Sequence, residues 1–160
     1  KGKPTVISDS NPPRSLSRVA REIDSIPFQL GEAFRIQREK FHWDWYGPDC
    51  NHLKLPYPSL LGSFQISNAA GAIMVSECLA ERLPLAIRHL REGIGAAHIL
   101  GRFQVIPGEP SVILDVAHNP HAAKALANSL ARNPCAGLTR VVVGMLADQE
   151  HSEVIAPLVG

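Results

Sequence analysis

The chain switches between two hydrophobic periods, and each switch marks an element. Pro4-Thr-Val-Ile-Ser8 is a β-branched run closed by the turn-rich Asp9-Ser-Asn-Pro-Pro13. Ser15 then stands where it could cap a helix carrying Leu16, Val19, Ala20 and Ile23 at helical spacing. From Phe34 to Tyr46 the period drops to two, with Phe34 and Ile36 followed by Phe41, Trp43 and Trp45. Gly47-Pro48-Asp49 reads as a turn and His52–Leu55 as a returning strand. The aromatic cluster from 43 to 57 is expected to serve strand packing, with a ligand surface as the alternative. Pro56 and Pro58 mark a connector. Two helices should follow, one from about Ser67 to Arg82 with Ala69, Ala70, Ile73, Val75 and Leu79 on its apolar side. The other starts at Pro84, with Ile87, Leu90 and Ile94 as its stripe.

The last third is the most legible. Phe103–Ile106 and Ser111–Val116 flank Pro107-Gly-Glu-Pro110, which predicts a hairpin. Asn119 is placed to cap a helix opening on Pro120, with Ala122, Ala123, Leu126 and Leu130 facing inward and Asn133-Pro134 ending it. Arg140-Val-Val-Val-Gly144 is a continuous apolar run of the kind buried on both faces of a parallel sheet. Strand, helix and strand in that order predict a βαβ unit, with an organisational break near residues 98–102.

Composition narrows the classes. The 160 residues are 45% hydrophobic, enough for a core, and the net charge of +1 gives no bulk reason to expect nucleic acid or a lipid surface. Cys50, Cys78 and Cys135 are odd in number and widely spaced, which predicts free thiols in a reducing compartment. No apolar run approaches the roughly 20 residues of a membrane span. A start at Lys1 and a stop soon after Ser152-Glu-Val-Ile-Ala-Pro-Leu-Val159 lead us to expect a piece of a longer protein.

The chemistry concentrates in Ile113-Leu-Asp-Val-Ala-His-Asn-Pro-His121, where a strand pattern becomes a helix pattern. Ligands of open α/β sheets sit beyond the carboxyl ends of strands, where Asp115 and Asp148 both fall. An acid there can accept from ribose hydroxyls, and the following helix start favours anions. The competing reading is that Asp115 only braces the turn. A metal site would need Asp115, His118 and His121 on one face, but the helix begins between the histidines and no fourth ligand is near. We therefore assign no metal ligand. Arg102 after Gly101, and Asn68 at a helix start, carry no signal singly.

Together these residues do. Gly101-Arg-Phe-Gln-Val-Ile106, Ser111-Val-Ile-Leu-Asp-Val-Ala-His-Asn-Pro-His-Ala-Ala123 and Arg140-Val-Val-Val-Gly-Met-Leu-Ala-Asp-Gln-Glu150 resemble the C-terminal domain of folylpolyglutamate synthase, including its bifunctional dihydrofolate synthase form, in the Mur ligase superfamily. Gly2–Leu16 resembles a segment after the family's central-domain lysine region, and Phe64–Leu79 its Gln-x-x-Asn-Ala-Ala helix. The resemblance implies an α/β chain comprising the end of a Mur-ligase-type central ATPase domain, residues 1–100, and the start of a Rossmann-like C-terminal βαβ domain, residues 101–160. It implies Asn68 at the adenine, Arg102 at the ATP phosphates, Asp115 at the ribose and His118 close to the nucleotide.

The implied activity is ATP-dependent addition of L-glutamate to dihydropteroate or folate through an acyl phosphate, in a cytoplasmic monomer. The family's phosphate loop, Mg2+ ligands and carbamylated lysine belong to its N-terminal part, so these residues alone are expected to be inactive. Leu100 stands where the family usually has proline, and Gln149 where it often has lysine. Val116 and Asn119 favour the folate branch over peptidoglycan Mur ligases. A noncatalytic nucleotide-binding module is the rival from another class.

Overall fold

The computed structural model describes residues 1–60, 62, 64–146 and 151–159. They form two compact units: Lys1–Ser59 with Gln65–Ala97, and Leu60–Phe64 with His98–Gly160.

In the first unit, β1 (Pro4–Ile7) pairs in parallel with β2 (Ile26–Gln29), and α1 (Arg14–Glu22) is the crossover between them. Hydrophobic periodicity does not reveal β2, which is only four residues long and contains Pro27, a residue that cannot donate a ladder bond. Ser15 does not cap α1. Pro13 holds the cap position, and Ser15 lies inside the first turn. The expected stripe is also mostly exposed, since Leu16, Val19 and Ile23 face solvent and only Ala20 is buried.

The meander matches its alternation except at Phe41, which lies in a bend and is 80% exposed. β3 (Arg35–Arg38), β4 (Trp43–Tyr46) and β5 (Asn51–Leu55) form an antiparallel sheet, with Trp45 opposite both Ile36 and His52. α2 (Gln65–Cys78) buries Ile66, Ala70, Ile73 and Met74 in the same core as Phe34, Trp43, Trp45 and Leu55. Val75 and Leu79, expected inward, are exposed. α3 (Ile87–Ala96) starts at Ile87 with Ala86 as its cap, not at Pro84 as expected, and adds Leu90 to the core. Both tryptophans are fully buried without stranding their polar atoms. Trp43 Nε1 donates to the Pro56 carbonyl at 2.7 Å and Trp45 Nε1 to the Ala70 carbonyl at 3.1 Å. These rings pack strands, as expected.

In the second unit, β6 (Gln104–Ile106) and β7 (Val112–Leu114) form the predicted antiparallel hairpin. α4 (Pro120–Arg132) starts as predicted: Asn119 Oδ1 accepts the Ala122 N–H at 2.9 Å and Pro120 opens the helix. A short helix α5 (His151–Ile155) and a 3-10 turn (Ala156–Leu158) pack against α4. Residues 140–144 depart from expectation. They join no sheet among the described residues, and Val142 is 99% exposed. A continuous apolar run becomes a buried strand only when neighbouring strands and covering helices meet it, and β7 here pairs with β6 alone. The α/β class stands, but among the described residues no third paired strand closes the βαβ unit.

No helix among the described residues is long and apolar enough to cross a membrane. All three cysteines are free.

Two outcomes are expected. Trp45→Ala should cost about 3–5 kcal/mol, because it removes a fully buried ring that also bonds α2; chemical denaturation measures this, and a loss below about 1 kcal/mol would contradict the assigned core. Thiol alkylation should proceed in the order Cys135 before Cys78 and Cys50. The Thr139 hydroxyl lowers the exposed Cys135 thiol, so its thiolate forms at lower pH. Burial raises both Cys78 and Cys50, which keeps them protonated and slow. Peptide mass mapping over time reads the order.

Candidate functional site

The segment from Gly101 to Phe103 is bent in a way few residues allow. Gly101 has φ +69°, and a Cβ there would lie 2.8 Å from Val116 Cγ1. Its carbonyl accepts the Val116 N–H at 2.9 Å, and its own N–H donates to Gln104 Oε1 at 3.1 Å. Phe103 also has positive φ, at 45°, and its side chain is buried. A non-glycine residue stays there only if its surroundings hold it.

Asp115 does the holding. One residue beyond β7, its Oδ2 accepts the Phe103 N–H and its Oδ1 the Ala117 N–H, each at 2.8 Å. The carboxylate therefore ties the entry of β6 to the exit of β7. A carboxylate offers about four acceptor positions, so each oxygen keeps capacity for one more donor. The bracing reading and a ligand role are compatible.

Arg102 sits between the two left-handed residues. It is exposed, and its guanidinium has no hydrogen-bond or ion-pair partner among the described residues. Arg102 and Asp115 line one shallow, solvent-open hollow of about 30 Å³, walled by Phe64, Phe103, Ala122 and Leu126. That is far below the roughly 300 Å³ at which small-molecule pockets begin, so the hollow is the edge of a site rather than an enclosing pocket. An unengaged cationic fork beside a braced carboxylate suits a ligand carrying both an anionic group and hydroxyls.

His118 lies on the loop to α4, exposed, with Nδ1 2.9 Å from the Val116 carbonyl. A carbonyl only accepts, so Nδ1 carries the proton and a neutral ring presents Nε2 as an acceptor. His121 is exposed in the first turn of α4, so the helix start separates it from His118. Asn68 belongs to the first unit. It is the fourth residue of α2 rather than its cap, exposed, and its Nδ2 donates to Gln65 Oε1 at 3.2 Å. The hollow thus unites Arg102 with Asp115, while His118 is not part of its lining. Asp148 and Gln149 lie outside the described residues. Sequence reasoning missed the aromatic walls Phe64 and Phe103; a left-handed, buried phenylalanine after Gly-Arg has no signature in hydrophobic periodicity.

Similarity to known proteins agrees with this region. Residues 101–159 match the family model described as Mur ligase, glutamate ligase domain. The dihydrofolate synthase/folylpolyglutamate synthase of Escherichia coli K12 is 30% identical over 154 residues, 96% of this chain and 35% of that protein. A structure of the Escherichia coli protein in complex with DHPP and ADP superposes with a TM-score of 0.86 at 30% identity, covering 99% of this chain and 37% of the other. The bifunctional folylpolyglutamate synthase/dihydrofolate synthase of Yersinia pestis, complexed with AMPPNP and Mn ion, gives 0.83 at 37% identity, covering 98% and 36%. The chain spans just over a third of the length of these relatives.

The bracing role of Asp115 has its own test. Asp115→Asn keeps one acceptor oxygen and turns an N–H group toward a backbone donor. It should cost about 1.5–3 kcal/mol, the worth of a charge-assisted bond. Hydrogen exchange at the Phe103 or Ala117 amide should speed up while the Asn119 cap stays protected. Unchanged protection at both amides would remove Asp115 from this role.

Proposed function

We propose, since this chain belongs to the folylpolyglutamate synthase/dihydrofolate synthase family of Mur-type ligases, that the whole protein adds L-glutamate to dihydropteroate, folate or both at the expense of ATP. The observation that carries the reading is the pairing of an unengaged Arg102 with Asp115 in one hollow. The chain around that hollow is similar, almost end to end, to proteins of that name. Residues 1–100 are taken as the end of the central domain and 101–160 as the start of the C-terminal domain; the change of unit between Ala97 and His98 supports this division.

The donor chemistry fits a nucleoside triphosphate. Arg102 can fork onto phosphate oxygens because nothing among the described residues occupies it. Asp115 can accept from a ribose diol with the lone pairs its backbone bonds leave free. His118, with its proton on Nδ1, can offer Nε2 to a hydroxyl near the nucleotide. Asn68 retains amide capacity beyond its Gln65 bond and is assigned to the adenine edge. A divalent metal, Mg2+ in this reading, would neutralise phosphate charge, with its ligands in the N-terminal part. The chain's own share of catalysis is positioning and charge stabilisation as the phosphoryl group moves to the substrate carboxylate. Free cysteines fit a reducing, cytoplasmic compartment, and a monomer is what the family resemblance implies.

The decisive experiment is Arg102→Ala in the full-length enzyme. Its exposed side chain bonds no other group among the described residues, so melting should be unchanged. Glutamate ligation should fall roughly a hundredfold in kcat, with a smaller change in ATP affinity, if the contact strengthens during transfer. Wild-type turnover in a correctly folded Arg102→Ala enzyme would overturn the assignment. Asp115→Ala should weaken ATP binding about ten- to hundredfold, but must be read against its melting curve, because the same oxygens brace Phe103 and Ala117.

A further inference from the structure

The turn before β5 and the C-terminal end of α2 bring together three side chains that the proposed reaction does not use. Cys50 Sγ lies 3.6 Å from His52 Nε2, which lies 2.7 Å from Glu77 Oε1. One ligand-type atom from each falls within 4.8 Å of the other two, and all three residues are half-buried. The sequence holds the cue in retrospect. Residues two apart on an extended segment share a face, so Cys50 and His52 point the same way. Glu77, distant in sequence, arrives on the helix that packs over that sheet.

The imidazole is set by the core as well as by its acid. His52 stacks on Trp45 with ring centroids 5.4 Å apart and planes at 28°. Trp45 is fully buried and tied through Nε1 to the Ala70 carbonyl. The ring is therefore held in place by packing before any ligand arrives.

We propose that Cys50, His52 and Glu77 form a binding site for a borderline-soft divalent transition-metal ion of the zinc class. Sulfur, imidazole nitrogen and carboxylate oxygen together select zinc-like ions over magnesium or calcium, and three protein ligands leave a fourth position for water. The spacing suits it. Tetrahedral zinc with ordinary bond lengths separates sulfur from nitrogen by about 3.5 Å, and Cys50 and His52 stand at 3.6 Å. Nitrogen and oxygen would be about 3.4 Å apart, so Glu77 must retreat roughly 0.7 Å from its present 2.7 Å. A partly exposed glutamate makes that adjustment by side-chain rotation.

The protons balance. A carboxylate only accepts, so Nε2 now carries the proton shared with Glu77; on coordination the ring's proton resides on Nδ1. The Cys50 thiol gives its proton to solvent, as cysteine ligands do. Burial first, then Glu77 and Asp49, favour the neutral thiol in the ion-free protein. The charge of a bound cation acts against all of these influences, and the two carboxylates attract it.

Cobalt(II) is the probe. Titrated into chelator-treated full-length protein, it should produce the thiolate-to-cobalt charge-transfer band and the intense visible bands of a tetrahedral site at a single equivalent. Zinc(II) should displace it and raise the melting temperature. Cys50→Ser should abolish the charge-transfer band, whereas Cys135→Ser should keep it. Glu77→Gln, which preserves shape but not the anion, should weaken cobalt binding at least tenfold, and it serves if Cys50→Ser does not fold. The proposal fails if folded wild-type protein shows no such band. It fails equally if the band survives in folded Cys50→Ser or if Glu77→Gln binds cobalt as tightly as the parent. None of these readouts depends on ligase activity.

Discussion

The Asp115 carboxylate is the constraint on which the second unit's local geometry depends. By accepting from Phe103 and Ala117 at once, it fixes the two ends of the β6–β7 hairpin against each other. That fixation holds a buried phenylalanine at positive φ, and Arg102, in the same bend, is exposed with its guanidinium unengaged by any described residue. The Val116 N–H closes the arrangement on the Gly101 carbonyl. The backbone bend at the mouth of the hollow therefore depends on one side chain. The residue best placed to meet a ligand is also the one that builds the place.

The first unit rests on a different device. Two tryptophans are its largest fully buried side chains, and each carries an N–H that would be costly to bury alone. Trp43 spends its donor on the connector after β5 and Trp45 on a carbonyl of α2, so the rings join sheet to connector and sheet to helix. The same Trp45 ring orients His52. Packing and side-chain placement are thus set together.

The sequence was legible where a local rule decides the outcome. Asn119 and Pro120 start a helix through their own hydrogen bonding and fixed φ, and the β6–β7 and β3–β4–β5 turns follow from turn chemistry and alternation. It was illegible where the outcome depends on a distant partner. Ile26–Gln29 is a strand only because β1 lies beside it. Residues 140–144 look like a strand but have no paired neighbour among the described residues, and the stripe on α1 is covered only at Ala20. The same division runs through the site. The strand-end position of Asp115 could be read from the pattern, but its two backbone donors could not, because one lies twelve residues upstream in a conformation no periodicity encodes. The convergence of Glu77 on Cys50 and His52 likewise needed the fold.

The exposed valines at 141–143 bear on how this chain behaves in company. A run of β-branched residues outside any sheet, with Leu138 and Leu146 also largely exposed, is what an open strand edge on another molecule would capture. Arg140 is the nearest charge before the run, and no proline interrupts it. Pairing of this kind joins two molecules, so its extent in this unit would rise with concentration.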